Sequence, residues 1–388
     1  MSEPCEVAEQ LDARTGPPNP YIAILARSEK QHRLISVHWE LTYRCNERCT
    51  HCYLDVLTPG AKVPGELSTA ECKRVLDELA ALGALTVTFS GGEPLVRADF
   101  FEIAGYARRK GFAVRLFTNG ILIKPEIAER LAALRPVVVE LSLYGADAAS
   151  HDQITLIPGS FELTLRACDL LRARGVRTIL KCPMMRENYR QMDALRALAL
   201  AKGANFQYDL TIVPKHSGDR GPLRHRLSDD ELLDLFSREL TPDGWTLAPY
   251  RDSYRFCGIG LTSLTIGPYG EVYSCVGARV SAGNVREQRL ATLWQAPVWA
   301  ELAGLTLANL PVCASCELRQ YCVRCHGTAA FEDGDLLGCS SVAYREARLR
   351  RQVLRAKGQT DSRESPALSV TSAQPSVGTL VVGQPVPA

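Results

Sequence analysis

The sequence predicts an α/β fold, six βα repeats followed by a small cysteine-rich domain, and three observations predict it. From residue 34 to about 212, short runs rich in β-branched and aromatic residues alternate with stretches of helical periodicity. Cys45, Cys49 and Cys52 stand directly behind the first of those runs. Seven more cysteines, of 14 in the chain, crowd between Cys257 and Cys339.

The strands are expected at Leu34 to Thr42, Leu85 to Phe89, Ala113 to Phe117, Val137 to Leu143, Arg177 to Pro183 and Asn205 to Ile212, each bounded by turn residues. Ser68 to Leu82 reads as the first helix. Ser68 can cap its start, Glu71 stands at the capping-box position, and leucines and alanines follow at helical spacing. Asp99 to Lys110, Pro125 to Leu134, Phe161 to Arg174 and Met192 to Lys202 repeat that pattern. Such βαβ units build a parallel sheet, doubly wound or curled into a barrel. Both forms place functional loops at the carboxyl ends of the strands. The cysteine loop follows strand one and Ser90-Gly91-Gly92-Glu93-Pro94 follows strand two, so the two motifs meet in space.

After Ile212, the loop from Val213 to Leu227 carries Lys215, His216, Arg220, Arg224, His225 and Arg226 and reads as a solvated basic loop ahead of a helix at Ser228 to Leu240. Residues 255 to 345 read as a separate small domain, with a hairpin from Leu264 to Val276 turning at Pro268-Tyr269-Gly270 and a helix around Leu293 to Leu305. The expected divisions are an N-terminal extension over 1–33, the βα repeats over 34–240, the cysteine-rich domain over 241–350 and a tail over 359–388. The tail is rich in Ser, Pro, Gly, Thr and Val, has no charge after Glu364, and is expected to be disordered.

Composition narrows the partners. Lysine plus arginine (45) nearly balances aspartate plus glutamate (43), so a net charge of +2 gives no reason to expect nucleic acid. The N-terminal MSEPCEVAEQ has no apolar core of a secretory signal, and no run of about 18 apolar residues is present to span a bilayer. The expected location is the cytoplasm, where disulfides are disfavoured and metal ligation is the natural use of many cysteines. Cys5, Cys72, Cys168 and Cys182 stand outside both groups and read as small packing residues.

Three cysteines at CxxxCxxC spacing are one short of a tetrahedral zinc site or a four-thiolate cluster. A 4Fe-4S cube on three thiolates leaves one iron open to the amino and carboxylate groups of a methionine-like ligand, whose sulfonium bond an injected electron then cleaves. A zinc knuckle completed by His51 is the competing reading, with the histidine packed awkwardly between ligands.

The stretches RCNERCTHCY and FSGGEP resemble the radical S-adenosylmethionine superfamily, over roughly residues 34 to 345. That resemblance implies a partial (β/α)6 TIM-type barrel. It implies that Cys45, Cys49 and Cys52 hold the 4Fe-4S cluster, that His51 and Tyr53 lie near the adenine of S-adenosyl-L-methionine, and that Gly91, Gly92, Glu93 and Pro94 hold the methionine amino group. Asn119 and Ser142, at the ends of strands three and four, would contact the methionine and ribose parts. Lys181 on strand five would reach the cofactor carboxylate if it faces inward.

The later cysteines run Cys257, Gly270, Cys275, then Cys313-x2-Cys316-x5-Cys322-x2-Cys325, then Cys339. Two CxxC units alone are equally compatible with zinc ribbons. The whole pattern, with Gly283-Asn284-Val285-Arg286-Glu287 leading to Leu293-Trp294, resembles the SPASM domain, which carries one or two auxiliary iron-sulfur clusters. The resemblance implies that Cys313, Cys316, Cys322 and Cys339 form one ligand set and Cys257, Cys275 and Cys325 another. The second set is a ligand short, and the gap from Cys322 to Cys325 holds two residues where the family usually has three. His326 is a candidate to compensate, although a histidine beside a ligand is more often one layer out.

The function so implied is reductive cleavage of S-adenosylmethionine to a 5'-deoxyadenosyl radical that crosslinks or oxidises a ribosomally made peptide or protein, as in the pyrroloquinoline-quinone precursor-peptide maturase and other peptide maturases. The expected partners are that peptide, a separate peptide-recognition protein and an electron donor of flavodoxin or ferredoxin type. Action on haem side chains or a small molecule, and a non-catalytic iron-sulfur electron carrier, are the alternatives.

Overall fold

Six strands lie side by side in chain order, each parallel to its neighbour: β1 (Ser36–Thr42), β2 (Thr86–Gly91), β3 (Ala113–Thr118), β4 (Val138–Ser142), β5 (Thr178–Pro183) and β6 (Asn205–Asp209). The structure, a computed structural model, describes residues 20–245 and 251–358. Cys5, the tail over 359–388 and most of the extension over 1–33 lie outside the described residues. Helices Thr69–Ala81, Phe100–Arg109, Pro125–Leu134, Ser160–Arg172 and Met192–Ala201 connect consecutive strands, the crossover that parallel pairing requires. β6 does not pair with β1, so the sheet stays open as in a partial (β/α)6 barrel. The Ser68 hydroxyl accepts from the Glu71 N–H while the Glu71 carboxylate accepts from the Ser68 N–H, and Ser228 with Glu231 repeats this box.

Side chains alternate across each strand, and here they divide by chemistry. Val37, Trp39 and Leu41 of β1, Val87 and Phe89 of β2, Val114 and Leu116 of β3, Val139 and Leu141 of β4 and Leu180 of β5 join one apolar core with the helices. Each such large side chain contributes roughly 1.5–3 kcal/mol by burial. The opposite face is polar. There Ser90 Oγ lies 2.6 Å from His38 Nε2, Glu140 pairs with Arg115 and with Lys181 (3.1 Å), and the Lys181 ammonium sits 4.0 Å above the Phe117 ring. Lys181 therefore faces inward, with its charge already matched by Glu140.

The hairpin of the cysteine-rich region continues the same sheet. β7 (Ser263–Ile266) pairs parallel with β1, from Ser36 opposite Ser263 to Trp39 opposite Ile266, and β8 (Glu271–Tyr273) and β9 (Ser281–Asn284) follow antiparallel. β1 is thus flanked on both sides. The helix expected around Leu293 to Leu305 is two, Leu290–Leu293 and Pro297–Ala303, because Pro297 lacks the N–H a continuing helix needs and starts the second one instead.

The basic loop differs from the solvated segment expected of it. His225 is buried against Glu187 (2.7 Å), Arg226 donates to Ile212 O and pairs with Glu332, and the His216 ring packs on Tyr53. Carboxylates and carbonyls from other elements supply what composition alone assigns to water. Among the described residues no helix is long and apolar enough to cross a membrane.

Candidate active site

The cysteine loop leaves β1 and is closed at its base by Cys45 N donating to Leu57 O and Leu57 N to Tyr43 O, both at 2.9 Å. Its far side rests on the helix Ala148–Thr155, where Arg48 N and Thr50 N donate to the carbonyls of Thr155 (3.1 Å) and Ile154 (3.0 Å). Cys52 N donates to Cys49 O at 3.1 Å and tightens the turn between them. Cys45 is buried, and Cys49 and Cys52 are half-buried.

The glycine ridge after β2 lies directly against this loop. Gly92 N donates to Thr42 O at 2.8 Å and Glu93 N to Arg44 O at 2.9 Å. A Cβ on Gly91 would stand 2.3 Å from Thr42 O, and one on Gly92 2.4 Å from Arg44 O. Gly91 also has φ +126°, a region side chains disfavour. Backbone approach is what these glycines provide.

Glu93 turns its carboxylate to the end of β3. It accepts from Thr118 Oγ1 (2.9 Å), Asn119 N (2.8 Å) and Leu95 N (3.0 Å), is fully buried, and has its pKa raised to about 7 by burial. Asn119 Nδ2 in turn donates to Asn46 Oδ1 at 2.8 Å and lies 3.9 Å from Cys45 Sγ, so the ends of β2 and β3 are tied to the cysteine loop. Because the folded pKa lies above the unfolded value of 4.5, folding is unaffected by Glu93 below pH 4.5. It loses stability as pH rises from there to about 7. At ~1.4 kcal/mol per unit this is of order 3 kcal/mol. Glu93→Gln should remove that share of the pH slope in urea denaturation between pH 4.5 and 8, and an unchanged slope would contradict the assignment.

Pro94 opens the short turn that ends the ridge and is buried. Ser142 closes β4, two residues before Tyr144. The His51 ring meets Tyr144 edge-on at 4.6 Å, and Tyr144 stacks on His151 at 5.5 Å. Tyr53 reaches down instead, donating to Glu40 at 2.9 Å, where Tyr43 also donates (3.1 Å) and Arg279 holds Tyr43 (2.9 Å). Sequence reasoning missed Glu47 and Tyr144. Cys49 Sγ donates to the Glu47 carboxylate at 3.2 Å, and the neighbouring thiols help raise the Tyr144 pKa beyond what burial does. The ERC tripeptide carried a hint of Glu47; nothing in the sequence brings Tyr144 to the loop.

The donor set suits a cationic centre. Burial first, then nearby carboxylates and thiols, raises Cys45 to about 12 and Cys52 to about 11, with Cys49 also raised and Glu47 moved to about 8. Bound positive charge is what makes crowded thiolates affordable. Glu47 Oε1, Thr50 Oγ1 and His51 Nδ1 are buried without a hydrogen-bond partner, a concentration of unmet polar atoms in five residues that itself points to a further group. As they stand, no three Cys, His, Asp or Glu side chains among the described residues are drawn closely enough to grip a single metal ion.

The late cysteines fall into two groups. Cys313, Cys316, Cys322 and Cys339 line one cavity of about 290 Å³ and act on one another electrostatically, and Cys257, Cys275 and Cys325 do the same among themselves. Every cysteine in the described residues is a free thiol. His326 turns its Nδ1 to Arg324 and Leu336 O.

A family model of the radical SAM superfamily matches residues 39–199, and a model of an iron-sulfur cluster-binding domain, SPASM, matches residues 257–317. The mycofactocin maturase MftC of Mycobacterium tuberculosis (strain ATCC 25618 / H37Rv) is 37% identical over 267 residues, 65% of this chain and 67% of that protein. An AdoMet-dependent heme synthase of Methanosarcina barkeri (strain Fusaro / DSM 804) is 32% identical over 335 residues, 79% of this chain and 94% of that protein. Among solved structures, Streptococcus suis SuiB bound to the precursor peptide SuiA has a TM-score of 0.63 at 18% identity, covering 87% of this chain and 85% of that one, a likeness of fold.

Proposed function

The chain belongs to the radical SAM superfamily, among members with a C-terminal SPASM domain, and from that membership we propose that it is a peptide maturase. The observation that carries the radical chemistry is the three-cysteine loop hydrogen-bonded side by side with the Gly91–Gly92 ridge at the carboxyl ends of β1 and β2. When bound and reduced, a 4Fe-4S cluster supplies the electron that cleaves S-adenosylmethionine to methionine and a 5'-deoxyadenosyl radical. Cys45, Cys49 and Cys52 hold it. The Gly91 and Gly92 backbone receives the methionine amino group, and Glu93 positions that backbone from behind with Pro94 ending the ridge. Asn119 and Ser142 would face the methionine and ribose parts and His51 the adenine, with Tyr53 supporting that side from its bond to Glu40. Cys313, Cys316, Cys322 and Cys339 hold one auxiliary cluster and Cys257, Cys275 and Cys325 the other.

The peptide substrate is supported by the relatives described as maturases and by the fold shared with SuiB, whose structure holds a precursor peptide. A separate peptide-recognition protein, a flavodoxin or ferredoxin-type donor and a cytoplasmic location complete the reading. A haem-type substrate is the second reading, favoured by the heme synthase likeness over 94% of that protein. The test is anaerobic turnover of the reconstituted chain with reductant, S-adenosylmethionine and either a synthetic precursor peptide encoded beside the gene or iron coproporphyrin. A mass change on the peptide in step with 5'-deoxyadenosine supports the proposal; a mass change on the porphyrin alone overturns it.

A further inference from the structure

The two late thiol groups are joined by a link of two residues, Val323 and Arg324, with Cys322 of one group before it and Cys325 of the other after it. Arg324 is 2% exposed. Its Nη2 donates to the carbonyls of Leu336 and Gly338, both at 2.7 Å, its Nη1 meets His326 Nδ1 at 2.6 Å, and its Nε is buried without a partner. Among the described residues it forms no ion pair with a carboxylate.

A guanidinium keeps its charge, and burying that charge without an anion is strongly unfavourable. Carbonyl dipoles satisfy some of its N–H groups and leave the charge itself uncompensated. The anionic chemistry beside it is thiolate. Arg324 lines the cavity of Cys313, Cys316, Cys322 and Cys339, and the next residue along the chain is Cys325 of the other group. Its position between ligands of both groups lets one cation act on two centres.

We propose that Arg324 is the shared counter-charge of the two auxiliary clusters, stabilising the extra negative charge of each reduced state and so raising both reduction potentials together. This rests on the reading that the two thiol groups hold iron-sulfur clusters. One-electron reduction adds one negative charge to a cluster, and a fixed cation nearby favours it.

The test uses the full chain with Cys45, Cys49 and Cys52 replaced by alanine, so that only auxiliary iron is seen, in a redox titration followed by electron paramagnetic resonance. Arg324→Gln should retain iron and lower both midpoint potentials by at least tenfold in the one-electron equilibrium constant, about 59 mV. Arg324→Lys, which keeps the charge, should stay within half that shift. Unchanged potentials in the glutamine variant, movement of one cluster alone, or an equal shift in the lysine variant each overturn the proposal. If the glutamine variant loses its iron, the lysine variant decides: iron retained near the parent potentials supports the counter-charge, and iron lost from both overturns it in favour of a purely structural hold on Leu336 and Gly338. A parent protein with no auxiliary iron overturns the thiol reading and the proposal with it, whereas iron without a shift overturns the proposal alone.

Discussion

Replacing Cys49 with alanine should abolish formation of 5'-deoxyadenosine from S-adenosylmethionine and remove about four iron atoms per chain while the iron of the second domain stays. Cys49 is the middle thiol of a loop whose backbone is fixed on three sides: by Leu57, by the helix Ala148–Thr155 and by the ridge behind Gly92. Two remaining thiolates are too few for a cube, and the His51 ring beside them is packed edge-on against Tyr144. The late thiols stand in separate groups, one of them within its own apolar cluster of Ile259, Val280 and Leu302, and should keep their iron. Iron analysis with chromatography of the nucleoside product measures both effects. Cleavage retained in the variant would refute the ligand assignment.

Gly92→Ala should cost about 3 kcal/mol of stability and weaken S-adenosylmethionine binding with it. The added Cβ would stand 2.4 Å from Arg44 O, a backbone atom one residue before Cys45, so neither side can yield without moving the cysteine loop. Gly60→Ala is the matched control. Nothing lies within 4 Å of a Cβ there and its φ is ordinary, so its effect should stay within about 0.5 kcal/mol. Urea denaturation of the two variants side by side gives the comparison, and equal midpoints would mean that the close approach does not matter.

The strands were legible because their faces differ: Val37, Trp39 and Leu41 alternate with Ser36, His38 and Glu40. The boundaries expected at Ala113, Pro125 and Met192 coincide with the elements found, the first two being marked by Gly111 and by Pro125 itself. Helix Ala148–Thr155 escaped notice because AASHDQIT has little apolar periodicity, and it forms where Asp147 caps its start and His151 is buried beneath Tyr144. Ser341–Ala356 hides its stripe among arginines, one of which, Arg350, is itself buried over the Phe236 ring. At the site, the spacing of Cys45, Cys49 and Cys52 and the glycine pair were readable as local patterns. The ties between Glu40 and Tyr53, Asn46 and Asn119, or Arg279 and Tyr43 join residues far apart in the chain, and no local pattern encodes them.

The pairing of β7 with β1 bears on how such a chain can be shortened. Ending it after residue 240 would strip the partner from the strand that carries the cysteine loop and leave a row of unpaired N–H and C=O groups from Ser36 to Trp39. Those exposed groups are a template for the same strand of another copy, so the truncated piece should self-associate through that edge. The cysteine-rich segment thereby acts as a solubility cover for the barrel, and an oligomer-free half-protein would require a charge or a proline placed on β1.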